Sequence, residues 1–158
     1  MRYLILFIVL FSFSSLFAQE ERDTVLNRCP VWITDTVSAN NFFIEGRPVN
    51  LKVYRAKGDL TVLVEQKDQY FTIFFNEKRL SVGSYKIAVN AKGNREVAAK
   101  YSFRLGDQVS YVSVSKGTID VSFDETKQMW RIKLNGLIAN IVERSVSYYK
   151  TRTDIFIK

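Results

Sequence analysis

The chain has 158 residues, 47% of them hydrophobic and 25% charged, with no histidine, one cysteine and a formal net charge of +7. Without an imidazole base, Ser-His-Asp and Cys-His nucleophilic sites are excluded. A lone cysteine builds neither an intrachain disulfide nor a Cys/His zinc cluster, and the length suits one domain.

The first segment reads as a sorting signal. Arg2 is the only charge among the first nineteen residues, and an apolar run from Leu4 to Phe11 leads through Ser12-Phe13-Ser14-Ser15 to Leu16-Phe17-Ala18. A positive start, a short apolar stretch and a small residue before polar sequence describe a secretory signal peptide. The expected cut follows Ala18, although Leu16 replaces the small residue usual at the −3 position. An uncleaved anchor competes, but residues 3–18 fall short of the ~20 apolar residues of a spanning helix. Lipidation of Cys29 is rejected, because Leu26-Asn27-Arg28 precedes it and it lies far from the apolar run. The mature chain then has 140 residues and a charge of +6, since the leader holds one Lys/Arg and no Asp/Glu. The expected location is periplasmic, outer-membrane-associated or secreted. Residues 19–27 read as a flexible lead-in and 28–158 as one all-β domain.

Beyond the leader, apolar and polar residues alternate with period 2, as half-buried strands do. Strands are expected at Val31–Thr36, at Val49–Tyr54 and, after the turn Lys57-Gly58-Asp59, at Leu60–Glu65. Tyr70–Phe75 is almost continuously apolar, which predicts an interior strand covered on both faces. Ser84–Val89 precedes the turn Ala91–Asn94, and Glu96–Phe103 and Val109–Val114 flank Leu105-Gly106-Asp107. Thr118–Phe123 and Trp130–Leu134 form a hairpin: for Ile119, Val121 and Phe123 to share a core with Trp130, Ile132 and Leu134, Asp120 must sit opposite Lys133 and Ser122 opposite Arg131. Asn135-Gly136 suits a type I′ turn, where both central residues need φ > 0, and Leu137–Glu143 would follow it. A C-terminal strand covers Asp154–Ile157. Pro30 and Pro48 each precede a strand, where a residue without an N–H is tolerated. No segment carries a helical stripe. The expected fold is a single antiparallel β-sandwich, with a small β-barrel as the alternative.

From Leu80 onward the chain carries Gly83-Ser84-Tyr85, Ala99-Lys100-Tyr101, Gly117-Thr118-Ile119-Asp120-Val121, Asp124, Leu134-Asn135-Gly136 and Phe156-Ile157-Lys158. This succession resembles a group of small exported all-β domains of uncharacterised function. The group's glycine before the final aromatic is replaced here by Asp154-Ile155. The resemblance implies a β-sandwich in an exported protein and brings no activity with it.

Paired carboxylates can hydrolyse glycosides without histidine, and Asp120, Asp124, Glu125, Glu45 and Glu65 are the candidates. Each already has a strand or turn role, and nothing signals the raised pKa that a general acid needs. The acidic turns lack the alternating oxygen ligands of a calcium loop. No enzyme activity, metal or cofactor is therefore expected. The cations are scattered along the strands, which favours a solvated surface over nucleic-acid binding and leaves room for peripheral contact with lipid headgroups or acidic glycans. Adjacent strand residues point to opposite faces, so one of Tyr148 and Tyr149 must leave the core. With Trp32, Arg144 and Arg152 they are the candidate partner-binding residues, and Val142–Arg152 reads as a functional loop or edge. Cys29 is either a small buried hydrophobe or an exposed thiol, and its place beside Pro30 near the mature N-terminus favours exposure. The functional expectation is an exported, non-catalytic, monomeric binding module for a protein, glycan or lipid. A lipocalin-like carrier of a small apolar ligand is the alternative, and a carboxylate-dependent hydrolase comes third.

Overall fold

A computed structural model describes residues 20–38, 47–142 and 145–158, so residues 1–19, which include the expected leader, lie outside the described residues. Strand follows strand: β1 (Glu20–Leu26), β2 (Val31–Asp35), β3 (Val49–Ala56), β4 (Asp59–Gln66) and β5 (Gln69–Phe75) come first. After them run β6 (Gly83–Ile87), β7 (Glu96–Leu105), β8 (Gln108–Asp124), β9 (Met129–Val142) and β10 (Ser145–Ile157). All ten belong to one hydrogen-bonded sheet, ordered β1-β3-β4-β5-β7-β6-β8-β9-β10-β2. The all-β reading therefore stands, with the sheet curled into a half-barrel. The strands do not divide into two sheets, and β1 and β2 end the sheet without pairing to each other.

Period-2 patterning explains why the sheet curls. Val49, Leu51 and Val53 on β3, Leu60, Val62 and Val64 on β4, and Phe71, Ile73 and Phe75 on β5 all point to one face and are buried. The same face receives Tyr85 and Ile87 of β6, Val97, Ala99 and Tyr101 of β7, and Ile119, Val121, Ile132 and Leu134 of β8 and β9. Burying each large apolar side chain contributes about 1.5–3 kcal/mol, and a single apolar face finds that burial by rolling onto itself. β5 is interior to the sheet as expected, between β4 and β7, but its outer face is only partly covered, with Thr72 buried and Tyr70 and Phe74 half-buried. Its Phe75 meets the Tyr85 ring edge-on with centroids 5.4 Å apart.

The hairpin register agrees with the expectation: Asp120 lies opposite Lys133, and Ser122 opposite Arg131. The turn at Lys57-Gly58 also forms, with φ of 51° and 94°, the two positive values a type I′ turn requires. Four expectations need correction. Residues 20–26, read as a loose lead-in, pair with β3 from Glu20↔Arg55 to Leu26↔Val49. Asn135-Gly136 is not a turn but the middle of β9. The inward phase of Ile132 and Leu134 carries through Gly136 to Ile138, and a Cβ on Gly136 would stand 2.5 Å from Val114 Cγ1. Glycine is there for close packing, a use of the residue that competes with turn formation. Likewise, Val109–Val114 and Thr118–Phe123 merge into β8, with a bulge between Val114 and Lys116.

The fourth correction concerns β6, which makes a two-residue parallel contact, Lys86↔Glu96 and Ile87↔Val97, within an otherwise antiparallel sheet. The bulge is the hinge of this arrangement. Before it β8 pairs with β7 from Gln108 to Ser113, and after it β8 pairs with β6 from Thr118 to Val121. An extra residue bends a strand and raises its twist, which turns the sheet toward closure at this point.

Candidate functional site

β10 positions the candidate residues. Thr151, Thr153, Ile155 and Ile157 are buried on the inner face, so alternation sends Tyr148, Lys150, Arg152, Asp154 and Phe156 outward. On one side Arg152 stands opposite Trp32 and Lys150 opposite Thr34 of β2. On the other, Arg152 faces Asn135, Asp154 faces Lys133 and Tyr148 faces Ala139 of β9. Trp32, Arg152, Asn135, Lys133 and Asp154 line an open outer groove of about 430 Å³.

Charge in this groove is unevenly compensated. Arg131 donates from Nε to Asp154 Oδ1 at 2.8 Å and from Nη2 to Oδ2 at 2.6 Å, a bidentate fork that combines energy with fixed geometry. The guanidinium holds the Asp154 carboxyl below the usual carboxylate range, and the carboxylate in turn raises Arg131. The Phe156 ring is covered by Lys127 Nζ at 3.9 Å and by the Arg131 guanidinium at 5.3 Å. With its one acid occupied, the groove presents Lys133 and Arg152, with Lys150 beside them, as its net charge. The turn after β2 is tied down as well. Asp35 Oδ1 accepts the N–H of Val37 at 2.6 Å and of Ser38 at 3.0 Å, bonds that lower the Asp35 pKa. Thr36 donates its N–H and its hydroxyl to the Tyr148 carbonyl, each at 3.0 Å.

Of the sequence candidates, Trp32, Arg152 and Tyr148 share this outer face, and Tyr148 is 47% exposed. Tyr149 is a correction: it points inward and packs against the core, because it shares the phase of Thr151 and Thr153. Arg144 lies outside the described residues, as does Glu45. The segment read as a functional loop or edge is a strand from Ser145 on, paired with β9 along its length and with β2 from Tyr149 to Thr153. Cys29 is buried, its thiol 3.7 Å from the Val31 carbonyl, which replaces the expected exposure and leaves it closed to bridging between chains. Lys133 and Asn135 join the groove without any local signal that marks them as site residues. The hairpin phase already aimed Lys133 outward, but only the pairing of β9 with β10 sets it beside Arg152.

The acids are dispersed. Glu65 is bound by Lys52 at 3.2 Å, and Asp124 Oδ1 accepts the Lys127 N–H inside the β8–β9 turn at 3.0 Å. No group of three potential metal ligands occurs among the described residues. The basic residues do not merge either: Lys100 and Arg104 on β7 are not neighbours of Arg131 and Lys133 on β9. Lys100 instead lies 4.8 Å from the Phe74 ring centroid and 5.7 Å from that of Tyr111. No protein-family model, curated protein or solved structure matches the chain.

Proposed function

We propose that the protein is an exported, non-catalytic binding module that recognises an acidic glycan through the outer face of β2, β10 and β9. The observation that carries this reading is the cross-strand pair of Trp32 and Arg152 in an open groove. An indole face stacks on the apolar side of a sugar ring, while Arg152, Lys133 and Asn135 offer donors to carboxylates and hydroxyls. The leader supports export, in line with the resemblance to exported β domains. The carrier reading with a ligand in the interior draws less support, because Phe71, Phe75, Ile73 and Leu60 fill the inner face.

Titration calorimetry with oligogalacturonate, set against a neutral cello-oligosaccharide, tests the groove. Acidic oligomers bind more tightly, the preference shrinks with salt, and Trp32→Ala weakens binding at least about ten-fold, roughly 1.4 kcal/mol. The melting temperature of that variant stays near that of the parent. Affinity indifferent to both Trp32→Ala and Arg152→Ala removes the proposal. Mass spectrometry of the exported chain tests the leader, with Gln19 as the expected first residue.

A further inference from the structure

We infer that the protein carries a second binding site, at the seam where the curled sheet stops short of closing, and that it takes a single-chain amphiphile with a carboxylate head. β2 pairs with β10 only from Tyr149 to Thr153. Beyond that, the Asp154 N–H still reaches the Pro30 carbonyl at 3.2 Å. No strand among the described residues pairs on this side of Ile155–Ile157. The opposite end of the sheet faces this gap and leaves a cleft of about 370 Å³. Leu26 of β1, Leu51 and Val53 of β3, and Ile155 and Ile157 of β10 line it. Arg22 and Thr24 also line the cleft and share the phase of Leu26, yet they are exposed. On this face of β1, Arg22 and Thr24 are therefore open to solvent while Leu26 packs against the core, and the counterpart of the open part would be a ligand.

Charge defines the ligand's head. Arg22, Arg28 and Lys158 stand around the apolar lining, and the one acidic side chain among the described lining residues, Asp154, is already held by Arg131. Arg55 follows Val53 on the same face of β3. Its Nη2 donates to the Lys158 carbonyl at 2.9 Å, joining the two ends of the sheet across the seam. Its Nη1 is buried and has no acceptor among the described residues. A buried guanidinium nitrogen left unpaired is costly, and a planar fork is matched by a carboxylate. The volume lies at the small end of the roughly 300–1,000 Å³ of ligand clefts, which suits one acyl chain rather than two. An apolar trough with cations at its margin thus fits a long-chain carboxylate, its tail over Leu51 and Ile155 and its head at Lys158, which lines the cleft, and at Arg55, which stands behind Lys158 and is bonded to it.

The test titrates the purified full-length protein with palmitate below its micellar range, by calorimetry. Parallel titrations use 1-hexadecanol, which has the same chain without the charge. The expected result is one palmitate per chain, with hexadecanol about ten-fold weaker or worse. Thr24→Trp, which fills the cleft from an exposed position, abolishes binding, and Arg55→Gln weakens it about ten-fold. Should Arg55→Gln fail to fold, the exposed Arg28→Ala serves instead, with a smaller loss. Trp32→Ala, in the outer groove, leaves palmitate affinity unchanged, so the two sites are separable. No palmitate binding, equal affinity for hexadecanol, or binding untouched by Thr24→Trp each overturns the inference. So does co-sedimentation with phosphatidylglycerol vesicles by a protein that ignores palmitate, which would mark a lipid surface as the partner.

Discussion

The run β3–β4–β5–β7 and the run β8–β9–β10–β2 share one sheet and one core, yet they are built on different plans. In the first, strands are seven to ten residues long and β3, β4 and β5 meet through short turns, and the inner face of β3 to β5 is apolar apart from Arg55, Gln66 and Gln69. In the second, three strands of 13 to 17 residues cross a bulge and two closely packed glycines. Their inner face includes two buried threonine hydroxyls, on Thr151 and Thr153, without hydrogen-bond partners among the described residues. Their outer face holds Trp32, Arg152 and Lys133. The contrast teaches that the first run is optimised for burial, while the second gives up some stability where the candidate groove lies, and the seam cleft opens between the two ends.

Substitutions sharpen that contrast, and the largest effect belongs to the first run. Phe71→Ala empties a fully buried site and should lower unfolding free energy by about 3–5 kcal/mol in denaturant titration. Gly117→Ala comes next. Gly117 has φ of +148°, and an added Cβ would collide with the Asn135 carbonyl oxygen and the Gly136 Cα. We expect a loss of roughly 2–3 kcal/mol, with the β8–β9 amides losing hydrogen-exchange protection first. Equal loss of protection in β3–β5 would mean that the two runs unfold as one unit.

A pH experiment gives a comparable but reversible effect. Burial pushes the Tyr101 hydroxyl up to about 12 and also raises Tyr85, whose hydroxyl bonds Glu77. A folded-state pKa above the unfolded value keeps its full stabilisation below pH ~10 and loses it as pH rises toward 12. For Tyr101 the loss amounts to roughly 2–3 kcal/mol, and Tyr101→Phe should flatten the alkaline slope of stability against pH. The smallest effect has the opposite sign. Thr151→Val replaces an unpartnered buried hydroxyl with a methyl of similar shape, and should stabilise by about 1 kcal/mol. A destabilised Thr151→Val variant would show that the hydroxyl has a partner in solution and would weaken the contrast between the two runs.

Much of the fold is legible in the amino-acid sequence. The alternation in Val49–Tyr54 and Leu60–Glu65 located β3 and β4, and the Lys57-Gly58 turn joined them, because turn chemistry and strand phase are both local. The phase of Ile119-Val121 against Ile132-Leu134 was enough to derive the register of β8 on β9. Asn135-Gly136 misled for an instructive reason. A glycine that relieves a clash with Val114 on the next strand looks, in one dimension, like a glycine that relieves a turn. The site was legible in part. Adjacent Tyr148 and Tyr149 had to diverge, but the choice between them depended on the phase of Thr151 and Thr153, two polar residues that occupy the core side.

What the sequence by itself determined is the all-strand character, the positions of most strands, the faces of their apolar residues and the absence of any imidazole chemistry. These follow from residue type and from the period-2 geometry of an extended backbone. Tertiary structure alone decided that β2 returns to pair with β10 more than a hundred residues away, that Trp32 therefore meets Arg152, and that β1 and the end of β10 face one another across an open seam. Contacts of that span are set by how one apolar face closes over itself, and no local pattern encodes them.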